Sequence, residues 1–129
     1  MSNASEPAIV PILKRTLAND DFRQTVITGE KCQVVLMTIQ PGEEIGAEVH
    51  GGHDQVLVLA EGRGQAVLDG QATEVEANDL IFVHAGVEHN FINTGDRPLK
   101  LYTLYAPPEH EAGTRHATKS EADAAEHDH

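Results

Sequence analysis

Glu48, His50, Gln55 and His89 are the residues whose types and spacing could do chemistry. Glu48 and His50 lie two positions apart, so on a strand both side chains point to one face. Gly51 and Gly52 then reverse the chain, and the returning segment opens with Asp54 and Gln55. Further on, residues 80–83 run into His84-Ala85-Gly86, and a further strand begins at His89. Two antiparallel strands joined by a short turn, with a third from elsewhere, can gather Glu48, His50, Gln55 and His89. Two imidazoles and one carboxylate make three strong bonds to a divalent transition metal and leave positions open for substrate or water. The carboxamide of Gln55 is a weaker ligand that either coordinates loosely or hydrogen-bonds a bound molecule.

Strands must position these groups, because helix signals are weak through the middle of the chain. Gly and Pro punctuate it at short intervals, and β-branched residues fill the pieces between. The pattern predicts strands over 22–28, 31–39, 43–50, 55–60, 64–68, 73–76, 80–83, 89–93 and 99–105. Pro41-Gly42 suits a type II turn, and Gly51-Gly52 and Asp69-Gly70 suit tight hairpins. Thr94-Gly95-Asp96 makes another reversal. Many short strands at regular spacing indicate an all-β sandwich or barrel rather than βα units. Lys100, interrupting an apolar strand, is expected to face solvent.

The chain has 129 residues, enough for one domain with a sizeable core. Lys and Arg total 9 against 21 Asp and Glu, a net charge of −12. Such a surface repels phosphate backbones, so neither nucleic acid nor anionic membrane is an expected partner. No apolar run approaches a membrane span, and no secretory signal is visible near the start. The single cysteine, Cys32, fits a reducing, cytoplasmic setting. No Ser-His-Asp order, phosphate loop or dinucleotide fingerprint occurs, which leaves serine hydrolase, kinase and nicotinamide enzyme unsupported.

The spacing around these residues resembles the cupin superfamily over roughly residues 25–106. The first cupin motif matches Gly42, five residues, Glu48, one residue, His50, four residues, Gln55, six residues and Gly62. The second matches Asn78, five residues, His84, one residue, Gly86, two residues, His89, three residues and Asn93. Glu48 stands where the motif has its first histidine, and Gln55 where it has glutamate. His84 replaces the motif proline and Asn78 its first glycine, both turn positions. The ending Tyr105-Ala106-Pro107-Pro108 looks like small bacterial single-domain cupins, some carrying a mannose-6-phosphate-isomerase-like label.

The resemblance implies a double-stranded β-helix, or jelly-roll, barrel with a metal inside its wide end. It implies one divalent transition metal (Fe, Zn, Mn or Ni) on Glu48, His50, Gln55 and His89. A two-His, one-carboxylate set suits a non-haem Fe(II) dioxygenase, or an isomerase or lyase acting on a sugar or uronate. The alternative is a non-catalytic small-ligand-binding or sensory cupin. Either way the partner is a small oxygen-rich molecule, with Gln55 and His53 as candidates for direct roles in turnover.

Three segments are expected: residues 1–20, residues 21–108 forming the barrel, and an acidic tail over 109–129. Residues 1–8 are expected to fray, and 9–13 to form an edge strand that pairs with a second subunit in a homodimer. Acids outnumber bases six to two in the tail, which is expected to add little to folding, and residues 119–129 are expected to be disordered or weakly helical. The simpler readings run alongside. His53 stands at the rim, His84 is a turn residue, Asp54 caps its own turn, and Cys32 is a small buried hydrophobe. Phe82, Phe91 and Tyr102 belong to the core, Phe91 sharing the face of His89. Glu109, Glu111, His110, His116, His127 and His129 are solvated.

Overall fold

The computed structural model describes residues 8–127; the expectations for residues 1–7 and for His129 lie outside the described residues. The elements in chain order are α1 (Ile12–Ala18), β1 (Arg23–Thr28), β2 (Gln33–Ile39), β3 (Asp54–Glu61), β4 (Arg63–Leu68), β5 (Gln71–Glu76), β6 (Leu80–Val83), β7 (His89–Ile92), β8 (Leu99–Ala106), β9 (Arg115–His116) and α2 (Lys119–His127). A six-stranded sheet runs β6-β3-β8-β2-β1-β9, and a three-stranded sheet runs β5-β4-β7. All described pairings are antiparallel. This is the all-β architecture that the turn spacing predicts, in the double-stranded β-helix form that the resemblance implies.

Alternation builds the core. Along β3 the side chains of Gln55, Leu57 and Leu59 are buried, and along β8 those of Leu99, Leu101, Thr103 and Tyr105. The register sets them in rows: Leu59, Leu101 and Met37, then Leu57, Thr103 and Val35, then Gln55, Tyr105 and Gln33. Each fully buried Leu or Phe in the core contributes about 1.5–3 kcal/mol from apolar burial. The rows turn polar toward one end of the barrel. That end is therefore the one suited to a ligand.

Turns fall where glycine and asparagine allow. Gly62 adopts φ +94°, and a Cβ there would lie 2.8 Å from the Pro98 carbonyl oxygen, so no larger residue fits. Asp69 and Gly70, with φ of 52° and 84°, close the β4–β5 hairpin in the left-handed region at both positions. Asn93 is buried and pins the last turn: its amide donates to the carbonyls of Ile39 and Arg97, and its oxygen accepts from Gly95 N–H.

Several expectations need correction. Residues 9–13 do not form an edge strand; the chain turns helical at Ile12, directly after Pro11, through a run of good helix formers. That helix lies against β3 and β8 and changes the fate of Lys100, which is only 8% exposed. Its ammonium donates to the carbonyls of Leu17 and Asn19 at 2.9 and 2.8 Å and to Asp20 at 3.1 Å. A cation thus caps the negative end of α1. Residues 43–50 form no strand; they meet β7 through two isolated bridges, Glu44 to Ile92 and Glu48 to His89, and through the Ile45 N–H, which donates to the Phe91 carbonyl at 2.9 Å. Gly46, at φ 107°, gives its N–H to the Asn90 side chain instead of a ladder partner.

Phe82 is not core: it is 44% exposed on the outer face of β6, an edge strand, and packs on His84 at 4.7 Å. Tyr102 is half-buried on the outer face of β8, whereas Phe91 is buried inside. Cys32 is exposed, because the β1–β2 hairpin closes through the Gly29 N–H to Cys32 carbonyl bond and β2 starts only at Gln33. The acidic tail is structured through residue 127. β9 pairs with β1, Arg115 grips Asp21 at 2.7 Å, and Ala122 of α2 is buried in the core.

Candidate functional site

The polar end of the barrel is assembled from four pieces of chain. The segment before β3 runs antiparallel to β7, and Glu48 and His89 form a closed pair, each N–H donating to the other's carbonyl at 2.9 Å. Gly86 N–H donates to the His50 carbonyl and ties the β6–β7 turn to the same segment. Asp54 does not cap its own turn; its carboxylate accepts from Ala85 N–H and links the start of β3 to that loop. β8 ends beside the start of β3, with Ala106 opposite Asp54.

His89 is 3% exposed. Its Nδ1 lies 2.9 Å from the Val87 carbonyl, which is satisfied when Nδ1 carries the proton and Nε2 keeps the lone pair. His50 lies 5.2 Å from it, centroid to centroid. His50 Nε2 is 3.4 Å from Glu48 Oε2, and its Nδ1 is 3.6 Å from Glu109 Oε2. Gln55 is buried, its amide donating to Thr103 Oγ1 at 3.0 Å, while its Oε1 has no donor among the described residues. A buried amide oxygen of this kind is stabilised by a cation or by a ligand's donor.

The structure therefore gathers Glu48, His50 and His89 at one mouth, with Gln55 buried in the polar row at the same end. His53 lies at the rim, with Nδ1 2.6 Å from the Pro107 carbonyl and Nε2 2.9 Å from Glu109 Oε2. Both of its ring nitrogens are thereby engaged. His84 is an exposed turn residue. Among the described residues, no three His, Cys, Asp or Glu side chains stand close enough together, as they lie, to hold a metal ion.

Three participants were not legible as such. Glu109 is not simply solvated; it reaches both His50 and His53. Tyr105 is inward-facing, with His110 edge-on to it at 5.3 Å. His110 is not solvated either: burial first, then the charge of Arg23 and the nearby His116, His50 and His53, lower its pKa to about 3. His116 is half-buried beside Arg23, while Glu111 is exposed. The available signal was topological. An antiparallel β3–β8 pair must end β8 next to Gln55, so the residues after Pro107-Pro108 had to emerge at the mouth.

No helix among the described residues is long and apolar enough to cross a membrane. A Bacillus subtilis protein, YrkC, is 44% identical over 128 residues, covering 94% of this chain and 68% of its own length. The crystal structure of BH2720 from Bacillus halodurans superposes with a TM-score of 0.91 at 44% identity, over 93% of this chain and 96% of that one. The mannose-1-phosphate guanylyltransferase ManC of Salmonella typhimurium is 27% identical over 77 residues, 60% of this chain but 16% of its own length. Residues 35–105, from β2 to the inner end of β8, match the cupin domain. With the strand order and the two motifs on that same stretch, the chain belongs to the cupin family.

Proposed function

We propose that this cupin binds a small oxygen-rich molecule at its polar mouth through one divalent transition-metal ion. Glu48, His50 and His89 would hold the ion, with Gln55 Oε1 beside them. The observation that carries this reading is the buried Gln55 oxygen without a donor among the described residues, opposite Tyr105, whose ring stands 6.2 Å from that of His50 beside Glu48 and His89. When bound, such an ion supplies Lewis acidity and a template for a chelating carbonyl, hydroxyl or carboxylate. Two neutral imidazoles and one carboxylate leave a net positive charge on a divalent ion, which favours an anionic ligand. The stretch shared with ManC supports a sugar-derived one. With iron the set suits dioxygenation, and with zinc, manganese or nickel it suits isomerase or lyase chemistry.

A second reading keeps the ligand and omits the ion: a non-catalytic, metal-free binding barrel. The separation of the His, Asp and Glu side chains among the described residues favours it. Calorimetric titration with Zn²⁺, Mn²⁺, Ni²⁺ and, anaerobically, Fe²⁺ decides between them. Binding of one equivalent that is lost in His89→Ala supports the metal reading. No binding of any of the four overturns it and leaves the metal-free barrel.

A further inference from the structure

The segment between β8 and β9 is held across the mouth by one buried side chain. Gln33 is fully buried, and its oxygen accepts the N–H groups of Glu109 and His110 at 3.2 and 3.0 Å. Its amide nitrogen donates to the His110 carbonyl at 2.7 Å and to Thr28 Oγ1 at 2.9 Å. One carboxamide thus fixes the backbone at residues 109–110 on both its donor and acceptor sides. Beyond it, Thr25 N–H donates to the Thr114 carbonyl and Arg115 pairs with Asp21, so the far end is anchored too.

The result is a carboxylate set beside two imidazoles, with Glu109 Oε2 2.9 Å from His53 Nε2 and 3.6 Å from His50 Nδ1. We propose that Glu109 is a positioning residue of the site, delivered by this strap to orient the rings of His50 and His53. This rests on the reading of His50 as a ligand. A carboxylate at one ring nitrogen of a ligating histidine fixes the ring's orientation and directs the other nitrogen outward. Here Nδ1 faces Glu109, and Nε2 faces Glu48 and the mouth. Glu109 thus brings a second carboxylate to His50 from a different part of the chain than Glu48. An ordinary surface ion pair would be worth little and would orient nothing. The clamp by buried Gln33 is what such a pair lacks.

The experiment compares wild type, Glu109→Gln, Gln33→Ala and the exposed control Glu111→Gln, all as full chains. Side-chain ¹H–¹⁵N spectra of the histidine rings are recorded without metal, and Zn²⁺ affinity is measured by calorimetry. Glu109→Gln should shift the His50 and His53 ring signals and weaken Zn²⁺ binding by about 10–100-fold, while Glu111→Gln changes neither. Gln33→Ala should move the same ring signals with Glu109 still present; should that variant fail to fold, the isosteric Glu109→Gln suffices. His50 ring signals that are unmoved in Glu109→Gln overturn the proposal. Wild type that takes up no Zn²⁺ overturns the metal reading instead, and the ring spectra still decide Glu109 by themselves.

Discussion

Glu48 and His89, far apart in the chain, sit directly opposite each other and exchange both main-chain hydrogen bonds at 2.9 Å. Opposed residues in such a pair present their side chains to the same face. His50, two residues on from Glu48, shares that face, which is how a carboxylate and two imidazoles come to one mouth although no ordinary strand carries residues 43–50. The contact that gathers these residues consists of isolated bridges and the Ile45–Phe91 hydrogen bond rather than of a full ladder.

On the proposed metal reading, replacing His50 by Ala removes a ligand and should lower divalent-metal affinity by more than the roughly 10–100-fold typical of outer partners. His53→Ala should leave the ion in place, because both His53 nitrogens are already engaged by Pro107 and Glu109. Calorimetry on the two variants checks this. The reverse order would show that His53, not His50, faces the ion.

Deleting residues 115–129 should destabilise the barrel. It removes the β9 pairing to β1, the Arg115–Asp21 pair and the buried Ala122. At this size each kcal/mol moves Tm by about 4 °C, so a loss of roughly 5 °C or more is expected in a thermal scan. A Tm within about 2 °C of the full chain would show that the helix and β9 add nothing.

Lys100→Ala should cost about 2–4 kcal/mol, because it strips the cation from the end of α1 and leaves the Leu17 carbonyl without this donor. Lys100→Met keeps the buried stem and should lose less. Urea unfolding of both variants measures the difference, and equal stability of all three proteins would refute the capping role.

His110 sets a pH dependence. Its folded pKa lies near 3, below the ordinary histidine value of 6.5, so the unfolded chain binds the proton first as acid is added. Stability is therefore fully present above about pH 6.5 and declines as pH falls from there toward 3. His110→Phe keeps a ring against Tyr105 and should flatten that decline between about pH 7 and 5. Denaturant midpoints at several pH values test it, and an unchanged slope would rule His110 out as the source.

Fold class and the residues of the candidate site were legible in the chain itself. Strand periodicity, Gly and Asn at turn positions and the two spaced motifs are local signals; alternation puts Gln55 on the inner face of β3, whereas Glu48 and His50 come to His89 through an isolated bridge. Tertiary structure decided what local pattern cannot encode. Lys100 reads as outward on β8, and so it is, but α1 covers that face and turns an exposed cation into a buried cap. Ile12 and Leu13 suit a strand as well as a helix, and packing against β3 and β8 chose the helix. Glu109 and His110 carry no periodic signal at all. Their place at the mouth follows from where β8 ends and from a single buried glutamine, Gln33, which holds the backbone there. Those are contacts between residues distant in the chain, and composition says nothing about which of them form.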